Sequence, residues 1–225
     1  KIDAPIEKFK AGQFTSLGLD FEGERIARPY SFLSAPGNRP IEFFFYTAID
    51  GVLSNAMTNL KFGDKIFVKR EANGFFTLEE VPDGKTLWLL ATGTGVAPYF
   101  SILETVEPWE RFKKVVLIHA VRGAADLRYQ NLINKFSSTF HDRFIFRAFV
   151  SRESSATALP GRIPAAITDG LLEKSVGIKL SADDSQIMLC GNPDMITDSI
   201  TALKSKGLKK HRRRTPGQIT VEKYW

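Results

Sequence analysis

The 225-residue sequence predicts two modules in series: a small antiparallel β barrel or sandwich, then an α/β module built on a parallel sheet. Two observations carry this reading. Up to about residue 80, short runs rich in Phe, Ile, Val, Thr and Tyr alternate with Gly- and Pro-bearing turns, the grammar of short antiparallel strands. Beyond it, continuous apolar runs alternate with stretches of helical periodicity, which points to strands covered on both faces. Between them EVPDGKT forms a polar break, placing a boundary near Asp83 and giving modules of residues 1–83 and 84–225.

In the first module the expected strands are QFTSLGL, RPYSFL, IEFFFYTA, KIFVKR and FFTL, separated by APGNRP, DGVLS, FGD and ANG. The proline in RPYS requires an edge strand or a strand start, because it has no N–H for a ladder. DGVLS ends in Ser54 on a turn able to present backbone N–H groups. In the second module LWLLAT, KVVLIHAV, FIFRAFV and QIMLC are expected as buried strands, and PYFSILETV, ADLRYQNLINKF and MITDSITALKSK as helices.

Composition excludes several classes. Cys190 is the single cysteine, so there is neither an internal disulfide framework nor a self-contained cysteine-ligated iron–sulfur cluster. No apolar run is long enough to span a bilayer and no signal-peptide pattern is present, which suits a cytoplasmic protein with no membrane partner. A net charge of +6 suggests an acidic partner. KIDAPIEKFKAGQF begins in mid-pattern without a start methionine, so residues upstream of Lys1 are expected.

Chemistry concentrates in a few places. ATGTGVAP, 91–98, lies between a strand and a helix, where Gly93 and Gly95 permit close backbone approach to a ligand. It is neither G-x-G-x-x-G, since Pro98 holds the last glycine's place, nor a P-loop. Arg122, Arg152 and Arg162 each follow an expected strand, where ligands meet a parallel sheet. With Ser151 they suit a dianionic 2′-phosphate better than a bare 2′-hydroxyl. They also read as solvated surface arginines. RPYS gathers a cation, a flat aromatic and a hydroxyl in four residues. The terminal VEKYW reads either as a last strand on the core or as aromatics lying against a flat ligand. His119 falls inside a buried strand and reads as a core or hinge residue rather than a general base. KSKGLKKHRRR, 204–214, reads as a docking surface for an acidic partner, a solvated face, or a nucleic-acid patch; without stacked aromatics or a helix-turn-helix the last is disfavoured.

In order along the chain, AGQF, R-x-Y-S, G-x-x-S, ATGTG-x-x-P, S-R-E, G-R-I-P, CGNP and a terminal E-x-Y-W resemble the ferredoxin–NADP⁺ reductase family, in its bacterial ferredoxin/flavodoxin branch. Each motif is modest alone; the ordered set is specific and covers nearly the whole chain. The resemblance implies an antiparallel barrel for FAD, with its first strand upstream of Lys1, followed by a Rossmann-like domain for NADP(H). It implies that Arg28 meets the FAD pyrophosphate, Tyr30 stacks on the isoalloxazine and Ser31 hydrogen-bonds near it. Phe44, Phe45 and Tyr46 lie at the flavin-binding position, and Val52, Leu53 and Ser54 cover the pyrophosphate. Pro29 departs from relatives that carry Ala or Leu there, and removes one backbone donor beside the FAD.

On the other module the resemblance implies that Thr94 approaches the flavin and that Thr92 and Gly93 belong to the NADP site with Arg122, Ser151, Arg152, Arg162 and Asn192. Cys190 borders the nicotinamide, and Glu222 is the active-site carboxylate. Tyr224 covers the flavin face opposite Tyr30, and Trp225 stacks on the adenine of a folded FAD. The activity implied is electron transfer between NADPH and ferredoxin or flavodoxin, by a monomer, with no metal and no nucleic acid. An NADPH-dependent free-flavin or quinone reductase is the alternative on the same scaffold, and a basic binding module is the alternative outside enzymes.

Overall fold

The structure, a computed structural model, describes residues 1–224 as two compact units, one of residues 1–77 with 97–105 and one of 78–96 with 106 onward. The sequence-derived break near Asp83 is a single cut. The units in the structure are not consecutive in the chain, because the segment Ala97–Thr105 belongs with the first.

In the first unit β1 (Phe14–Phe21) and β2 (Glu24–Ser31) form a hairpin with eight facing pairs, from Phe14 opposite Ser31 to Phe21 opposite Glu24. Its two-residue turn holds Glu22 and Gly23 at φ of 49° and 86°. That is the double positive φ of a tight hairpin turn, which Gly23 adopts freely and Glu22 only with strain. After α1 (Val52–Thr58), the short β3 (Phe67–Val68) pairs with the other edge of β1, so the sheet order is β2-β1-β3. Pro29 therefore lies on an edge strand, where its missing N–H interrupts no ladder.

Three of the expected strands are shorter or absent: KIFVKR keeps only Phe67–Val68. IEFFFYTA contributes only isolated bridges, Ile41 to Ile2 and Phe43 to Phe32, and FFTL runs into a 3-10 turn at Leu78–Glu80. Their apolar residues fill the core without forming ladders: Ile41 is fully buried with Ile6, Phe9 and Phe32, and Phe76 meets Tyr99 at 5.8 Å. Tyr99 lies on α2 (Ala97–Leu103), every residue of which is buried, and Ser101 Oγ donates to the Ser34 carbonyl at 2.9 Å.

The second unit is a six-stranded, wholly parallel sheet. Its strands are β4 (Thr86–Thr92), β5 (Lys114–Val121), β6 (Phe144–Val150), β7 (Leu159–Pro160), β8 (Ser185–Gly191) and β9 (Ile219–Lys223), in the order β7-β6-β5-β4-β8-β9. The helices are α3 (Glu107–Arg111), α4 (Gln130–Phe140), α5 (Ile163–Thr168), α6 (Leu171–Val176) and α7 (Pro193–Ser205). β8 is buried at every residue and β4 at all but the last, as sheets covered on both faces require. Strands β4 to β7 are laid down in one direction and β8 returns to the far side of β4. The topological switch point therefore lies between the carboxyl ends of β4 and β8, where ligands enter open α/β sheets. Arg111 pins the stretch around the expected boundary, donating to the carbonyls of Leu78 at 2.7 Å and Val81 at 2.6 Å. Among the described residues no helix is long and apolar enough to cross a membrane.

Candidate functional site

At the switch point the turn after β4 and the end of β8 are pressed together. A Cβ on Gly95 would lie 2.6 Å from the Cys190 carbonyl oxygen, and one on Gly191 would lie 2.3 Å from Thr92 Oγ1, so both contacts require glycine. Gly191 also has φ of +126°, outside the range L side chains favour. Thr92 Oγ1 accepts from Asn192 N at 2.9 Å, and Asn192 Oδ1 caps α7 by accepting from Asp194 N and Met195 N at 2.9 and 3.1 Å. The Asn192 side-chain oxygen is thus committed to the helix cap, which its position in CGNP alone did not reveal. Gly191→Ala is expected to cost more than about 2 kcal/mol by strain and overlap, seen as a melting temperature lowered by roughly 4 °C or more.

Cys190 pairs in register with Glu222 on β9, and the Tyr224 N–H donates to the Gly191 carbonyl at 3.1 Å. Burial pushes the Glu222 carboxyl up to about 7. Burial also raises the Cys190 thiol well above its ordinary value, reinforced by the Glu222 charge and opposed by a hydrogen bond with Tyr224. Cys190 is therefore a neutral thiol rather than a thiolate. Val221, Glu222 and Lys223 end the edge strand β9, with Tyr224 just beyond it; Trp225 lies outside the described residues. On the other side of the turn, His119 Nε2 lies 2.9 Å from the Gly93 carbonyl oxygen.

The three arginines are brought together. Val121 and Val150 are paired at the ends of β5 and β6, Ser151 N donates to the Val121 carbonyl at 3.1 Å, and Arg152 N to the Arg122 carbonyl at 3.0 Å. Gly161 N donates to the Val150 carbonyl at 3.1 Å, which places Arg162, the residue before α5, beside them. All three are exposed, and none has an ion-pair partner among the described residues. Glu153 stands among them but accepts from Ala124 N. A cluster of uncompensated guanidinium groups at strand ends fits a multiply charged phosphate.

On the first unit Arg28 is exposed, and its Nη1 donates only to the neighbouring Ala27 carbonyl. Tyr30 is half-buried, and desolvation raises its hydroxyl pKa against the opposing charge of Arg28. Its ring meets Phe45 edge-on at 6.0 Å, and Phe44 meets Tyr46 in the same manner at 5.1 Å. Ser31 is buried at the end of β2. The expected turn at DGVLS is the start of α1: Val52 is exposed, while Leu53 packs with Leu17 and Met57. Ser54 Oγ donates to the Gly51 carbonyl at 3.1 Å and accepts from Ala48 N at 3.0 Å, so that hydroxyl is spent on the turn. An unpaired cation beside partly exposed aromatic rings fits a flat, pyrophosphate-bearing ligand.

A family model described as an oxidoreductase NAD-binding domain matches residues 89–200, from β4 through α7. A flavodoxin/ferredoxin–NADP reductase from Shigella flexneri is 47% identical over 225 residues, covering 100% of this chain and 91% of that protein. The chain belongs to the flavodoxin/ferredoxin–NADP reductase family. As a member of that family it is an oxidoreductase. The Pseudomonas aeruginosa ferredoxin–NADP reductase is 33% identical, covering 97% of this chain and 88% of the relative. Among solved structures, a ferredoxin NADP⁺ reductase from Neisseria gonorrhoeae with bound FAD and NADP is 36% identical with a TM-score of 0.91, covering 96% of this chain and 87% of that one. Family membership agrees with the antiparallel sheet followed by a parallel α/β sheet.

Proposed function

We propose that the chain is a flavoenzyme that passes electrons between NADPH and a one-electron carrier, flavodoxin or ferredoxin, with FAD as its cofactor. The observation that carries this reading is the row of unpaired guanidinium groups on successive strand ends in a family whose relatives are NADP reductases. FAD, when bound, supplies the exchange between two-electron hydride chemistry and one-electron transfer.

The chain's own residues have separable tasks. Arg122, Ser151, Arg152 and Arg162 hold the 2′-phosphate of NADP(H), while Thr92, Gly93 and Asn192 line its nicotinamide end. Arg28 neutralises the FAD pyrophosphate beside the backbone of Val52, Leu53 and Ser54. Pro29 shapes the same edge, and Tyr30 with Phe44, Phe45 and Tyr46 offers ring surface to the flavin, near which Ser31 hydrogen-bonds. The side chain of Thr94 and the ring of Tyr224 are assigned to the flavin from the family pattern. Cys190 as a neutral thiol orients the nicotinamide, and Glu222, protonated to about pH 7, holds a proton for delivery. The reading expects a yellow protein whose flavin absorbance is bleached by NADPH far faster than by NADH. A colourless preparation that takes up no FAD would overturn it.

Carrier docking is assigned to the basic run, in which some charges are already paired within the chain. Lys206 is paired with Glu173 at 2.5 Å, and Arg213 with Glu80 through bonds of 2.9 and 2.7 Å. Lys204, Lys209, Lys210, Arg212 and Arg214 are exposed, and none has an ion-pair partner among the described residues. Reversing Lys210 and Arg212 to glutamate is expected to slow reduction of an acidic flavodoxin about tenfold at low salt. The effect should fade as ionic strength screens the patch. Ferricyanide reduction should be unchanged. Equal carrier rates in the two proteins would make the patch a solvated surface with no part in docking.

A further inference from the structure

His119 lies in β5 at the level of Ala91 on β4 and is 1% exposed. Its Nε2 faces the Gly93 carbonyl oxygen at 2.9 Å. A carbonyl only accepts, so Nε2 carries the proton and Nδ1 is bare. Nδ1 is buried with no hydrogen-bond partner among the described residues. Burial pushes the imidazole pKa down to about 4, so this neutral tautomer persists through the physiological range. An apolar side chain could fill a buried strand position without orphaning a nitrogen. What the imidazole adds is one N–H, directed at one carbonyl of the turn after β4.

That carbonyl belongs to a glycine with φ of +54°, and the peptides flanking a glycine turn over more easily than others. The Gly93–Thr94 peptide is trans, since the only cis bond among the described residues is Arg39–Pro40. In a planar trans peptide the C=O and N–H point in opposite directions. Holding the Gly93 carbonyl toward His119 therefore turns the Thr94 N–H away from it. The steric contacts of Gly95 with β8 fix where the turn sits, and Gly93 opens the 3-10 turn Gly93–Val96, whose i→i+3 pattern engages the same carbonyl. The imidazole adds a side-chain hydrogen bond that fastens it.

Resting on the functional reading above, we infer that His119 is a positioning residue for the nicotinamide half of NADP(H): its Nε2–H fastens the Gly93–Thr94 peptide in the sense the 3-10 turn gives it, and so holds the Thr94 N–H toward the ligand. The imidazole touches no substrate and transfers no proton.

The test is calorimetric titration of NADP⁺ and, separately, 2′,5′-ADP into the FAD-loaded protein and three variants. 2′,5′-ADP carries the phosphate end without the nicotinamide. His119→Leu, which lacks a donor, should weaken NADP⁺ about tenfold, the loss of one well-placed hydrogen bond, and leave 2′,5′-ADP within twofold. His119→Gln has an amide N–H at the reach of Nε2 and should restore NADP⁺ to within twofold. His119→Asn has the same amide one methylene too short and should behave like leucine. The Gln and Asn pair carries the test by itself should leucine fail to fold. Wild-type NADP⁺ affinity in Leu and Asn would overturn the assignment, as would losses shared equally by both ligands or an Asn variant that matches Gln. Wild-type protein that binds neither ligand would overturn the functional reading, and this inference with it.

Discussion

Alanine at Arg152 or at Arg162 is expected to raise the KM for NADPH at least about tenfold while leaving NADH use within about twofold. A hydrogen bond to a charged group contributes about 1.5–3 kcal/mol, and each 1.4 kcal/mol is a factor of ten. The geometry explains why the loss should be selective. Arg152 and Arg122 are linked through their backbones, Arg162 follows the next strand, and none of the three guanidinium groups is tied up by a carboxylate. Their charge is unspent until a phosphate arrives, and NADH brings none to that position. Removing both Arg152 and Arg162 should cost less than the product of the single losses, because the remaining cation can shift toward the same oxygens. Steady-state KM values for the two nucleotides, measured side by side with ferricyanide as acceptor, decide it. Equal losses with NADPH and NADH would overturn the assignment of these arginines to the 2′-phosphate.

The position of these arginines at the strand ends was legible in the sequence because its signals are local. A continuous apolar run such as LWLLAT can only be a covered strand, and an arginine directly after such a run lies at the ligand-facing end of the sheet. QIMLC was read as a strand in the same way, and Cys190 ends it with Asn192 just beyond; their assignment to the nicotinamide came from the resemblance of CGNP. What the sequence hid depends on distance or on weak propensity. The helix Val52–Thr58 carries Val, Ser, Asn and Thr, all modest helix formers, and reads as a turn. It forms because Leu53 and Met57 pack against Leu17. IEFFFYTA has strand composition, but only Ile41 and Phe43 find a ladder partner, so its aromatics pack without a sheet. Ala97–Thr105 follows the turn after β4 directly, and no local signal shows that it belongs to the first unit. Nor could the bond from His119 to Gly93, 26 positions apart, be seen before the parallel pairing of β4 with β5 was known.

The largest change in turnover is expected at Glu222, with a gain in stability that depends on pH. Its carboxyl is held up to about 7 in the folded chain against an ordinary 4.5, because burial disfavours the charged form. The folded state thus binds the proton more tightly than the unfolded state. The associated stability is fully present below pH 4.5 and is lost as pH rises through about 7. The amount is on the order of 2–3 kcal/mol at pH 8. Glu222→Gln keeps the shape but cannot ionise. It should therefore match the wild type near pH 4 and melt roughly 5–10 °C higher at pH 8. The neighbouring thiol provides a second sign: part of the rise in the Cys190 pKa comes from the Glu222 charge, so alkylation of Cys190 in partly unfolded protein aside, its titration should move down in the glutamine variant. Turnover should go the opposite way. A group that holds a proton near neutral pH and delivers it typically contributes 10²–10⁴ in rate, so NADPH-dependent turnover should fall by about a hundredfold or more. The wild-type rate should also decline with an inflection near 7, which the variant lacks. A glutamine variant that is more stable at pH 8 yet turns over at the wild-type rate would leave Glu222 a buried carboxyl with no part in the chemistry.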